Sequence, residues 1–212
     1  MIVLGIESSC DETGVAIVKD GKKILANLVA SSLKLPSRHG GVIPEIASRM
    51  QLESIAGLFR EALKIAKIKP SNIDLIAVTT HPGLPGSLMV GIAFAKALAL
   101  GLGKPILGVD HVHSHIYANF LCYDNIKLPA VALVVSGGHT SLFYIKNFSK
   151  IQLLGQTRDD ACGEAFDKVA KIMGLGYPGG PIIEKLAKGA NRHKISFACS
   201  GTAGQLDFSF SG

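Results

Sequence analysis

IVLGIESSCDETGVAIV at residues 2–18 and AVALVVSGGHTSLFYI at 130–145 share one layout: an apolar, β-branched run, a short turn of small and polar residues, and a second apolar run. Each reads as a hairpin, with strands at Ile2–Glu7 and Thr13–Val18 around SSCDE, and at Ala130–Val135 and Thr140–Ile145 around SGGH. A hairpin plan that restarts near Pro129 predicts two related lobes, residues 1–128 and the opening of a second at 129–212. Two unrelated hairpins are the competing reading.

Between the hairpins the chain alternates. A third strand is expected at Lys23–Ala30. A helix follows from Pro44, where a first-turn proline is tolerated, to about Ile68, with Ile46, Leu52, Ile55, Phe59 and Ala62 on its apolar face. Ile73–Thr80 reads as a buried strand, HPGLPG as a loop, Ser87–Leu100 as a helix, Ile106–Val109 as a strand, and HVHSHIYANF as the start of another helix. This alternation places the chain in the α/β class. After the second hairpin, TRDDACGEAFDKVAKIMG predicts a helix with Asp159 and Asp160 at its N-terminus and an apolar stripe of Ala165, Val169 and Ile172. GYPGGP ends it, 182–188 is helical again, and 194–199 is expected as a strand.

With 48% hydrophobic and 18% charged residues among 212, the composition is that of a globular, apolar chain and excludes disorder. Gly91–Val109, the most apolar stretch, is broken by Lys96, Lys104 and several glycines and prolines, so no membrane partner is expected. Met1 leads directly into a strand without a signal-like segment, which predicts a cytoplasmic protein. Cys10, Cys122, Cys162 and Cys199 form no CxxC pair, which argues against a zinc ribbon or a disulfide framework. The net charge of +6 permits an anionic partner without requiring one.

His111 and His115 stand four apart at the start of a helix, so both imidazoles project from one face and can share a metal ion; surface or core histidines are the alternative. A metalloprotease reading is weaker still, because Val112 occupies the place where such an enzyme needs a glutamate base. Asp110 reads as a helix cap, the alternative being a partner that supports a histidine ligand from behind. SGGH at Ser136–His139 stands open between a nest of backbone N–H groups for phosphate or carboxylate and a turn that needs glycine for positive φ. The same two readings apply to SSCDET, where Ser8, Ser9 and Thr13 add hydroxyls and Glu12 a carboxylate. PGGP at Pro178–Pro181 with Glu184 one turn on suits a ribose or simply links two helices, and Asp167 either faces a cleft or is an exposed helix acid. Lys185, Lys188, Arg192, His193 and Lys194 suit a phosphate backbone or a solvated face.

GIESSCDET (5–13), GGVIPEIASR (40–49), PGLPGSLMVG (82–91), HVHSH (111–115), VVSGGHT (134–140), DDACGEAFDKVAK (159–171) and YPGGPIIEKLA (177–187) together resemble the bacterial type of tRNA N6-adenosine threonylcarbamoyltransferase. The resemblance implies the two-lobed fold of actin, Hsp70 and sugar kinases, with ribonuclease H-like lobes. It implies transfer of a threonylcarbamoyl group from threonylcarbamoyl-AMP to N6 of the adenosine adjacent to the anticodon, in tRNAs reading codons that begin with A. It further implies one divalent ion, Fe2+ or Zn2+, on His111 and His115, and nucleotide (ATP or AMP) binding. Val134, Val135, Ser136, Gly137, Gly138, Asp167, Gly180 and Glu184 would hold the adenylate, with Ser9, Glu12 and His139 in support. The implied partners are tRNA, a paralogous actin-like protein and a small P-loop ATPase. Gln51 stands where a histidine is common, and His81 where a glycine often precedes PGL. Family members continue beyond FSFSG with an aspartate ligand and a substrate-contacting asparagine, so a weakened or absent metal site is expected in these 212 residues. The alternatives are a non-catalytic scaffold paralogue and an ATP-dependent small-molecule kinase of the same fold.

Overall fold

The computed structural model describes residues 1–31, 43–191, 194–195 and 204–211. They fall into two compact units, Met1–Tyr123 and Asp124–Gly212. The first carries a five-stranded sheet in the order β3-β2-β1-β4-β5, from β1 (Ile2–Glu7), β2 (Glu12–Lys19), β3 (Lys23–Ser31), β4 (Leu75–His81) and β5 (Ile106–Asp110). β1, β2 and β3 form an antiparallel meander, and β4 and β5 run parallel to β1. Parallel pairs need crossovers, and the helices α1 (Pro44–Ala66) and α2 (Pro85–Leu102) supply them; α3 (His111–Cys122) follows β5.

Period-two alternation sends Leu4 and Ile6 of β1 and Val15 and Ile17 of β2 to the buried face. Register then stacks Leu4 beside Ile17 on one side and Ile76 on the other, all fully buried. The phase of α1 differs from its expected apolar face. Ala47, Gln51, Ile55, Phe59 and Ala62 are buried, whereas Ile46 and Leu52 are 39% and 66% exposed. The reason is Gln51, a polar residue whose amide finds buried carbonyl partners, so hydropathy alone set the first two turns on the wrong side. α2 begins at Pro85 rather than Ser87, the proline taking the first-turn place it suits. By length and composition α2 is apolar enough to cross a membrane; its Ser87, Gly91, Ala95 and Ala99 face is buried in the first unit.

The second unit repeats the antiparallel opening: β6 (Ala130–Val135), β7 (Thr140–Asn147) and β8 (Lys150–Gln156), in that order, followed by α4 (Cys162–Ile172) and α5 (Gly179–Ala187). Three expectations are corrected here. Asp159 and Asp160 do not cap α4: Asp159 instead accepts from the Ser209 hydroxyl and the Phe210 and Ser211 amides, and Asp160 pairs with Lys168. Of the helix face, Ala170 is buried while Val169 and Ile172 of the expected stripe are 46% and 86% exposed. The glycine pair of PGGP is the first turn of α5 and not a linking loop. Of the strand expected at 194–199, only Lys194 and Ile195 are described, as a bend; the rest lies outside the described residues.

Candidate functional site

In the first unit the carboxyl ends of three parallel strands deliver the polar groups: Glu7 ends β1, Thr79 lies near the end of β4, and Asp110 ends β5. Asp110 is the N-cap of α3, its carboxylate accepting from the His113 amide at 2.8 Å, as its cap reading anticipated. That cap starts the helix at His111 and brings the His111 and His115 rings together, with Nε2 3.2 Å from Nε2. Two imidazole nitrogens that share one tetrahedral ion at about 2.1 Å lie roughly 3.4 Å apart, so the pair fits a common divalent ion. Among the described residues no group of three His, Cys, Asp or Glu completes such a site.

Behind His111, its Nδ1 lies 3.0 Å from the Ser9 hydroxyl and 3.2 Å from Oε2 of Glu7. The Ser9 amide and the Thr79 hydroxyl each donate to Glu7 at 2.5 Å. Burial pushes the Glu7 carboxyl up, but the His111, Ser9 and Thr79 hydrogen bonds outweigh it and hold the group at about 2. Burial pushes His115 below its ordinary value, His111 beside it adds to the effect, and Glu7 partly opposes it. A groove of about 590 Å³ opens over Glu7, His111 and His115, floored by small sheet residues such as Gly5 and Ala77.

Because Glu7 lies below the ordinary 4.5 when folded, its stabilising contribution is complete above that pH and drains as pH falls from about 4.5 toward about 2. Urea unfolding at stepped pH should show this acid-side loss, and Glu7→Gln should flatten it; an unchanged slope in the variant would contradict the charged network.

The SSCDE turn is held from below. Gln51 Nε2 donates to the carbonyls of Cys10 and Glu12 at 2.9 and 3.1 Å, Ser87 Oγ to Cys10 at 3.1 Å, and Ser8 Oγ to the Ser87 carbonyl at 2.8 Å. Gln51 Oε1 is buried without a hydrogen-bond partner. Ser9 is buried in the cluster, whereas Glu12, the carboxylate singled out in the sequence, is exposed. The carboxylate that reaches His111 is Glu7, a residue the motif reading passed over. His81 is exposed and lies 3.3 Å from Asp110.

In the second unit the turn at Ser136–His139 is closed by the Ser136 amide donating to the His139 carbonyl at 2.8 Å, and Ser136 Oγ accepts from the Gly138 and His139 amides. Neither Gly137 nor Gly138 has positive φ, and a Cβ at either would meet nothing within 4 Å. The turn-strain reading of SGGH therefore falls, since neither positive φ nor crowding among the described residues demands glycine at these two places. The N-terminus of α4 docks on this turn: Gly163 N donates to the Ser136 carbonyl at 3.2 Å and Cys162 N to Thr140 Oγ1 at 2.9 Å. Val134 is buried and Val135 is 51% exposed. Asp167 is half-buried and accepts from the Gly179 amide at 2.6 Å, so it fastens α4 to the start of α5, the helix that carries Gly180 and Glu184. Glu184 is exposed, and His139 is half-buried. Lys185, Lys188 and Lys194 are exposed; Arg192 and His193 lie outside the described residues.

Residues 23–212 match the sequence profile of the tRNA N6-adenosine threonylcarbamoyltransferase family. The chain is 54% identical over 211 residues to the tRNA N6-adenosine threonylcarbamoyltransferase of Symbiobacterium thermophilum, covering 100% of this chain and 62% of that protein. To the protein of the same name from Moorella thermoacetica it is also 54% identical, over 99% of this chain and 62% of the relative. Among solved structures it is similar to the ethanolamine utilization protein EutJ from Carboxydothermus hydrogenoformans, with a TM-score of 0.49, 14% identity, and coverage of 89% of this chain and 69% of that one. The chain thus spans about 62% of the length of the curated relatives it matches.

Proposed function

The chain belongs to the tRNA N6-adenosine threonylcarbamoyltransferase family, and from that premise we propose that it carries part of the machinery that moves a threonylcarbamoyl group from threonylcarbamoyl-AMP to N6 of the adenosine next to the anticodon, in tRNAs reading codons that begin with A. In this reaction the adenine amine attacks the carbamoyl carbonyl carbon, the bond from that carbon to the phosphate oxygen breaks, AMP leaves, and the amine gives up a proton. No protein nucleophile is needed. The observation that carries the reading is the paired imidazoles with Nε2 atoms 3.2 Å apart, in a chain half identical to named transferases along its whole length.

His111 and His115 would hold one divalent ion, iron or zinc, which when bound supplies Lewis-acid polarisation of the carbamoyl carbonyl or the phosphate. Ser9 and Glu7 brace the first of these rings, and Glu12 and His139 are proposed as supporting groups. In the second unit the Ser136–His139 turn would take the phosphate or the developing oxyanion on its Gly137 amide, and on the Gly138 and His139 amides if they exchange Ser136 Oγ for the ligand, the Gly137 and Gly138 backbone being bare enough for close approach. Asp167 keeps Gly180 and Glu184 in place for the nucleoside. tRNA, a paralogous actin-like protein and a small P-loop ATPase are the partners proposed with this activity, in the cytoplasm.

The test is transfer of labelled threonylcarbamoyl from the adenylate to unmodified tRNA. Gly137→Ala is a suitable probe, because among the described residues an added methyl meets no atom beyond its chain neighbours within 4 Å, so a loss points to the ligand side. Adenylate binding by the unaltered chain, with slow transfer at most, and a tenfold or greater loss of both in Gly137→Ala, is the expected result. Neither transfer nor adenylate binding by the unaltered chain, or a fully active Gly137→Ala, would refute the assignment.

A further inference from the structure

The hydrogen-bond pattern behind His111 fixes more than its position. We propose that Glu7 is a positioning residue that sets the tautomer of His111, holding the proton on Nδ1 and directing the Nε2 lone pair toward His115. An ionised carboxylate has acceptors only. Glu7 already receives the Ser9 amide on Oε1 and the Thr79 hydroxyl on Oε2, and the same Oε2 lies 3.2 Å from His111 Nδ1. A bare Nδ1 would set its lone pair against that oxygen, whereas Nδ1–H is shared between Glu7 and the Ser9 hydroxyl 3.0 Å away.

The placement of Glu7 is set by the sheet. Parallel register puts Ile6 beside Val78, hence Glu7 alongside Thr79, and antiparallel register puts Glu7 opposite Gly14, whose lack of a side chain leaves room on that face. Ser9 is fixed from the other side, its carbonyl accepting from the Leu84 amide at 2.7 Å. The acceptor for Nδ1–H is thus built before any ligand arrives, and His111 needs no tautomer change to offer Nε2, 3.2 Å from its counterpart on His115. A neutral imidazole without such a partner favours the opposite form, with the proton on Nε2. The value of this arrangement rests on the reading of His111 as a metal ligand; the tautomer itself does not.

Long-range 1H–15N correlation spectra of 15N-histidine-labelled, metal-free chain at about pH 8, above the ordinary histidine range, decide the matter. The expected result is a protonated, pyrrole-like Nδ1 and a pyridine-like Nε2 for His111. In Glu7→Ala the proton should shift toward Nε2. In Glu7→Gln, which keeps the side-chain volume but whose amide can donate as well as accept, both forms should appear. A wild-type His111 with its proton on Nε2 overturns the proposal whether or not the variants fold, and so does a Glu7→Ala spectrum identical to wild type. Zinc titration of the wild type and His115→Ala tests the underlying metal reading separately: equal uptake by both would remove the ligand role and leave the tautomer result intact.

Discussion

Leu4→Ala should cost roughly 2–5 kcal/mol of stability in the first unit, the usual range when a leucine is cut back in a core that cannot collapse. Leu4 sits on the central strand with no exposed surface, flanked in register by Ile17 and Ile76, which are equally buried, and in the same cluster as Ile55 and Phe59 of α1. Strand neighbours on both sides hold their places through ladder hydrogen bonds, so the void stays open. At about 3–6 °C per kcal/mol for a body of this size, the thermal midpoint should drop by at least about 6 °C. Leu133→Ala is the contrast: that residue is 57% exposed on β6, and its truncation should move stability by about 0.5 kcal/mol or less. Denaturant unfolding of both variants checks the pair, and a Leu4 loss under about 1 kcal/mol would mean the sheet repacks.

The strands of that core were legible because alternation is a local signal. β1, β2, β3 and β6 lie within a residue or so of their expected bounds, and the repeated meander was visible as a repeated hairpin layout. Where local chemistry is ambiguous the reading slipped. Gln51 hides the true face of α1, because its burial depends on carbonyls about 40 residues earlier in the chain. β8 was missed, since KIQLLGQ has neither clean alternation nor a turn pair before it. PGGP looked like a loop because glycine and proline punctuate, yet proline suits a helix start.

The site divides the same way. His111 and His115 declare themselves by spacing on one helix, a relation of four residues. Glu7 does not, for its bond to His111 spans 104 residues and its bond to Thr79 spans 72. A carboxylate at the end of a strand is ordinary until the parallel register that aligns β1 and β4 is known. The motif reading singled out Glu12 and passed over Glu7, and only the fold separates the half-buried brace from the exposed acid.

The largest effect on ligand binding should come from Gly163→Ala. A Cβ there would lie 2.7 Å from the Ser136 carbonyl oxygen and 2.9 Å from the Gly137 Cα, and these are backbone atoms that no rotamer change can move aside. Either the N-terminus of α4 withdraws or the Ser136–His139 turn shifts, and the hydrogen bond from the Gly163 amide to the Ser136 carbonyl is lost in both cases. Overpacking of this kind costs typically 1–3 kcal/mol, which, expressed in binding, is about 5- to 150-fold. Affinity for a non-hydrolysable threonylcarbamoyl adenylate analogue, measured by calorimetry, should fall within that range, while the tautomer signature of His111 in the first unit stays as in wild type. Gly137→Ala, whose methyl meets nothing within 4 Å among the described residues, separates the two origins of loss: it tests contact with the ligand, whereas Gly163→Ala tests the backing that holds the turn in place. Undiminished affinity in Gly163→Ala would mean that the turn does not hold the adenylate, and the phosphate would then have to be sought elsewhere in the second unit.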